Sequence, residues 1–137
     1  MNHIQSPATG DQSIERAIVS AGANVAPRVT PADIEAAIVS EHYFTAEDGR
    51  AGAIQSETYE GRERPADGDA DIDTLKLLTF CVLVLRNGFT LTGESACASP
   101  ENFNSEIGRR IARENAVSKV WPLLGFLLKE KLHGQST

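Results

Sequence analysis

The stretch from Leu77 to Cys97, LLTFCVLVLRNGFTLTGESAC, decides the fold. Two apolar runs flank Asn87-Gly88, and such a dipeptide between hydrophobic runs is a strong short-range hairpin signal. Both central residues of a type I′ turn need positive φ, which Asn tolerates and Gly adopts freely. A two-residue loop there pairs Arg86 with Phe89, Val84 with Leu91, Val82 with Gly93, Phe80 with Ser95 and Leu78 with Cys97. The other face then pairs Leu85 with Thr90, Leu83 with Thr92 and Cys81 with Glu94. The first face is apolar and is predicted as core. The second, where Leu83 and Leu85 lie beside Thr92 and Glu94, is expected to remain open to a partner. This register also sends Cys81 and Cys97 to opposite faces, which argues against a disulfide. A lone hairpin is marginal in water, so a third strand is expected, from His42-Tyr43-Phe44 or from another subunit.

Downstream, Ser99 reads as a helix cap with Pro100 at the first helical position and Glu101 next. Phe103, Ile107 and Ile111 form one row, and Gly108, Ala112, Ala116 and Val120 form a second row of mostly small residues. Small residues let another backbone approach closely, and the hairpin is the expected neighbour. Pro122 lacks an N–H and biases Trp121 away from the helical region, so a kink or break is predicted at Trp121-Pro122. A final helix follows with Leu123, Leu124, Phe126, Leu127, Leu128 and Leu132. It is apolar nearly all round, so either the chain buries it or another subunit covers it. Self-association is therefore expected through Leu124, Phe126, Leu127 and Leu128, together with the Leu83/Leu85 face.

Upstream, Met1 to Ser13 is polar and unpatterned. Ile14, Ala17, Ile18 and Ala21 have helical spacing, and Gly22 reads as the stop. A second helix has Thr30 as cap, Pro31 at its first position, Asp33 facing the dipole and a Val29/Ile34 staple. Its apolar row is expected to run through Ile34, Ala37 and Ile38, towards Glu41. The two helices share nearly one heptapeptide, Ile14-Glu-Arg-Ala-Ile-Val-Ser20 and Ile34-Glu-Ala-Ala-Ile-Val-Ser40. Two copies are too few for a solenoid, and two amphipathic helices meeting the same packing need is the simpler account. From Thr45 to Asp73 the chain is polar and Gly-rich, which predicts a loop. Asp67, Asp69, Asp71 and Asp73 alternate as in a calcium loop, but Ile72 and Leu78 stand where Gly and Glu should be, so a solvated acidic linker is expected. The organisation predicted is an N-terminal segment 1–26 with a short helix, one α+β domain over 27–133 and a tail of 134–137.

The 137 residues suffice for one domain with a real core, and 41% hydrophobic with 23% charged residues is ordinary globular composition. No run approaches a membrane span and no signal-peptide core is visible near the N-terminus, so the cytosol is the expected location and two reduced thiols are expected there. The net charge of −6 is uneven: residues 1–73 hold five Arg and no Lys against fourteen acidic residues, whereas residues 74–137 hold eight basic against five acidic. An acidic front disfavours nucleic acid as the main partner but leaves room for a local basic patch.

No catalytic constellation emerges. His3, His42 and His133 are scattered, so neither a metal set nor a nucleophile–base pair has spacing support, and no metal or cofactor is expected. Gly93-Glu94-Ser95-Ala96-Cys97 only superficially matches a nucleophile elbow, since Cys97 stands where Gly is required. The best anion-site candidate is Arg109 with Arg113. Glu106, Arg110 and Glu114 can pair among themselves at i,i+4 spacing, which leaves those two guanidiniums without a local partner and able to hold a phosphate or a carboxylate.

Across Leu77 to Leu132 the chain resembles a family of small tailed-phage and prophage proteins, typed by a coliphage gene 49 product and a Shigella-phage gene 66 product. The resemblance rests on Asn87-Gly88-Phe89, Gly93-Glu94-Ser95-Ala96-Cys97, Phe103, Ile107-Gly108-Arg109, Ala112, Glu114-Asn115-Ala116 and Trp121-Pro122, and extends to Ala26–Phe44. It implies a phage or prophage origin and no particular activity. The expected fold is α+β: two short N-terminal helices, a hairpin or small antiparallel sheet, and a long C-terminal helix broken at Trp121-Pro122. The expected function is non-enzymatic binding of a host protein or host defence component by a homo-oligomer. Sequestration of a small anionic ligand, such as a phosphate-bearing signal nucleotide, is the alternative, and an accessory role on nucleic acid the third.

Overall fold

A computed structural model describes residues 10–66, 68 and 72–136. Among these residues five α-helices and three strands follow in the order α1 (Gly10–Ser20), α2 (Pro31–Ala37), β1 (Ile38–Thr45), α3 (Ala46–Ser56), α4 (Ile72–Leu75), β2 (Leu78–Leu85), β3 (Thr90–Ala96) and α5 (Ser105–Gln135). The class is α+β, as the sequence predicts. The chain divides into two compact units: the segments up to Ala37 and from Trp121 onward form one, and Ile38–Val120 forms the other.

In the second unit the strands make an antiparallel sheet in the order β1-β2-β3. The expected third strand is β1, which contains His42-Tyr43-Phe44. The turn corrects the expected register. Gly88 has φ +86°, but Asn87 does not enter the positive-φ region. The Gly88 N–H donates to the Leu85 carbonyl and the Leu85 N–H to the Phe89 carbonyl, both at 2.8 Å. The loop is therefore Arg86-Asn87-Gly88, a three-residue connection closed by a left-handed glycine rather than a two-residue type I′ turn. The Asn87 side chain supports it by accepting the Phe89 N–H at 3.0 Å. Val82 consequently faces Thr92, Leu83 faces Leu91 and Cys81 faces Gly93.

A slip of one residue exchanges faces. Thr79, Cys81, Leu83 and Leu85 are the buried side of β2, not Leu78, Phe80, Val82 and Val84, which are half-buried. Leu83 and Leu85, expected to face a partner, are core at 0% and 7% exposure. On β3 the inward residues Leu91 and Gly93 are those the sequence predicts. Both cysteines are free. The expected opposition of their faces does not hold: the Cys97 N–H bonds the Leu77 carbonyl, level with the Cys81 side. The thiols stay apart because four residues of strand, roughly 13 Å, separate those positions.

α5 packs on the sheet through its small row, and Gly108, Ala112, Ala116 and Val120 are all buried. Gly93 meets this row so closely that a Cβ built there would lie 2.2 Å from the Ala112 carbonyl oxygen and 2.3 Å from the Ala116 nitrogen. The parallel row behaves differently, with Ile107 and Ile111 exposed. The helix begins later than expected. Pro100–Asn102 is a 3-10 turn, and Asn104 is the cap, accepting the Ile107 N–H at 3.0 Å. Nor does the helix break at Trp121-Pro122: it continues to Gln135 with Pro122 inside. Proline removes a single hydrogen bond, to Ser118, and the bonds before and after it carry the helix on.

In the other unit, Gly22, with φ +71°, stops the chain just past the end of α1, with the Ala23 N–H returned to the Ile18 carbonyl at 2.9 Å. A reciprocal capping box starts α2: the Asp33 N–H donates to Thr30 Oγ1 and the Thr30 N–H to Asp33 Oδ2. The helix stops at Ala37, short of the expected Ile38 and Glu41, because β1 takes the chain over. The region 45–73 is not one loop either. Thr45 and Asp48 form a second capping box that starts α3, and α4 follows. Asp67, Asp69 and Asp71 of the acidic run lie outside the described residues.

Candidate functional site

The charged cluster nearest the predicted site lies where α5 meets β1. Arg113 Nε donates to Glu41 Oε1 at 2.6 Å and its second nitrogen to Oε2 at 3.5 Å. The Tyr43 hydroxyl donates to the same Glu41 Oε1 at 2.7 Å. Register explains the meeting: Glu41 and Tyr43 pair with Leu83 and Cys81, so all four share the face that α5 covers. Burial alone would raise the Glu41 carboxyl, but the Arg113 and Tyr43 hydrogen bonds outweigh it and hold the carboxyl below the usual range. Burial, then the bond to Glu41, pushes the Tyr43 phenol well up. Burial likewise pushes the Cys81 thiol up, so Cys81 is a packed thiol and not an activated thiolate.

A carboxyl with a depressed folded value stabilises the fold above its unfolded value and loses that contribution as pH falls through the folded one. Acid should therefore loosen the α5–β1 junction below about pH 4. Glu41→Gln should flatten that part of a stability–pH curve measured by denaturant midpoint, by about 1 kcal/mol for a pair as exposed as this one. An unchanged slope would assign the acid response to other carboxylates.

The remaining candidates separate. Arg109 is exposed and has no ion pair or hydrogen bond among the described residues, and Arg110 pairs with Glu114 at 3.8 Å. Arg113, which lacks a local partner in the sequence, has a distant one in Glu41. The two guanidiniums are thus not a free pair. Thr92 and Glu94 are exposed on β3, with the threonine hydroxyl 3.4 Å from the carboxylate. On α5, Leu124 and Leu128 are half-buried, while Phe126 and Leu127 are 66% and 60% exposed.

Sequence reasoning missed a second feature, in the unit that holds α1. Ile14, Ile18, Val29, Pro31 and Trp121 line a half-open pocket of about 250 Å³ edged by Asp11, Glu15 and Arg28. The Trp121 indole N–H donates to Asp11 Oδ2 at 2.9 Å. Arg28 grips Glu15 with two nitrogens, one bond being 2.8 Å, and this lowers the Glu15 carboxyl. The pocket can hold a small apolar group. Its lining comes from three distant stretches, so no local spacing announces it.

No group of three His, Cys, Asp or Glu among the described residues is placed to hold a metal ion. No described helix is long and apolar enough to cross a membrane.

The architecture is that of a small α+β protein in which a helix lies on a three-stranded antiparallel sheet. By sequence, the chain belongs to the Phage protein (N4 Gp49/phage Sf6 gene 66) family, which matches residues 29–132. That span takes in the sheet, the capping boxes of α2 and α3 and most of α5, and leaves out Asp11, Glu15 and Arg28. No curated protein and no solved structure matches the chain.

Proposed function

We propose that this phage-family protein is a non-enzymatic binding protein acting in the host cytosol. Its target is a host protein or host defence component, reached through protein–protein contacts, and the acting form is a homo-oligomer. The observation that carries this reading is the exposure of Phe126 and Leu127 on α5. Each large apolar side chain left in water forgoes roughly 1.5–3 kcal/mol of burial, and neighbouring aromatic and aliphatic side chains of this kind are how interfaces anchor. Sequestration of a small anion by Arg109 and Arg113 is supported less well, since Glu41 already neutralises Arg113. Nucleic acid remains the third reading, disfavoured by the net charge of −6.

The test is retention of host protein on immobilised wild type and on the Phe126→Asp, Leu127→Asp variant, with light scattering of both. The expected result is a specific host protein retained by wild type and reduced tenfold or more by the variant, about 1.4 kcal/mol or more, with an unchanged thermal melt. Equal retention by both would remove α5 from the contact. A nucleotide released from the purified protein would instead favour the anion reading.

A further inference from the structure

The two edges of the sheet are treated differently. The bonds Leu85 N–H to Phe89 O and Cys97 N–H to Leu77 O show that odd-numbered residues of β2 bond to β3. Its even-numbered residues must then bond to β1, at Val84–Ser40, Val82–His42 and Phe80–Phe44. The outward main chain is therefore that of Thr90, Thr92, Glu94 and Ala96 on β3, and of Glu41, Tyr43 and Thr45 on β1. The two central β3 carbonyls are capped from α5, Thr92 by Lys119 Nζ and Glu94 by Asn115 Nδ2. The Thr45 N–H is spent on Asp48 Oδ2 at 2.9 Å. The main-chain N–H and C=O groups of Glu41 and Tyr43 have no partner among the described residues.

The usual defences of an edge are missing as well. β1 has no Lys and no Pro, its single charge at Glu41 is neutralised by Arg113, and the irregularity at Val39 lies at one end only. We propose that β1 pairs antiparallel with β1 of a second copy about a two-fold axis at His42, making one six-stranded sheet. The occupant follows from symmetry: the open groups at Glu41 and Tyr43 lie evenly about His42, so a second copy supplies their complement. Other two-fold registers fail. An axis at Glu41 sets two carboxylates opposite each other, and an axis at Tyr43 pairs Glu41 with Thr45, whose N–H is already used. The axis at His42 pairs Glu41 with the partner's Tyr43 and leaves no outward group of either residue unbonded. The pairing is independent of the partner proposed for α5.

At this axis the two copies of residue 42 form a non-hydrogen-bonded pair, with Cα atoms about 4.5 Å apart, within disulfide reach for cysteine. The test uses the full chain with Cys97→Ser, which removes the half-buried native thiol, and adds His42→Cys or Ser40→Cys. Wild type should scatter light as a dimer. Under mild oxidation His42→Cys should give a linked dimer on a non-reducing gel, and Ser40→Cys, offset by four residues from its own copy, should not. Tyr43→Pro, which removes an outward N–H and leaves the β2 ladder intact, should be monomeric, while Tyr43→Phe stays dimeric. A monomeric wild type at tens of micromolar, including one that takes a peptide strand of another protein on this edge, overturns the proposal. So does linkage by Ser40→Cys and not by His42→Cys, and that result stands even where Tyr43→Pro does not fold.

Discussion

Gly93→Ala is expected to destabilise the sheet–helix unit by about 3 kcal/mol or more, at the upper end of overpacking effects. The added carbon would lie 2.2 and 2.3 Å from main-chain atoms of Ala112 and Ala116. Main chain cannot rotate aside as a side chain can. Relief requires lifting α5 from β3, which opens the buried row Gly108, Ala112, Ala116 and Val120. Urea denaturation at constant m-value would show the effect as a large fall in midpoint. Gly125→Ala is the contrast: nothing lies within 4 Å of the added carbon, and alanine in a helix interior should stabilise by about 0.5–1 kcal/mol. If both variants melt like wild type, helix and strand are not in contact at Gly93.

Leu83→Ala should cost about 2–5 kcal/mol. Leu83 is fully buried on the central strand, where neighbours on both sides leave little room for collapse around the cavity. Val82→Ala, one residue away on the half-buried face, removes less volume from a more open site and should cost about 1 kcal/mol. The order of the two effects reports the hairpin register directly. A two-residue turn at Asn87-Gly88 puts Val82 in the core, and equilibrium denaturation would then rank the pair the other way.

Several of the residues by which the chain resembles its family make the close contacts of helix and sheet. Gly93, Gly108, Ala112 and Ala116 permit close approach, and Asn115 covers an edge carbonyl. A row of small residues at helical spacing opposite a strand glycine is legible in a sequence, because steric fit depends on size and period alone. The Glu41–Arg113 pair is not legible, since 72 residues separate its members and only the strand order brings them together. The pocket at Trp121 is hidden for the same reason.

The sequence by itself determined the class of the protein, the hairpin's existence, the cap at Thr30, the stop at Gly22 and the face of α5 that packs. Each depends on residues within a turn or two of one another. Tertiary structure alone decided the hairpin register, where Gly88 takes the left-handed position and Asn87 does not, so one residue of loop exchanges core and surface on β2. It also decided the fate of the repeated heptapeptide. Ile14-Glu-Arg-Ala-Ile-Val-Ser20 is helical throughout, whereas Ile34-Glu-Ala-Ala-Ile-Val-Ser40 leaves the helix after Ala37 and enters β1. Ile and Val serve either state at small intrinsic cost. The second copy is drawn into a strand because β2 offers a ladder of hydrogen bonds and an apolar face at that point.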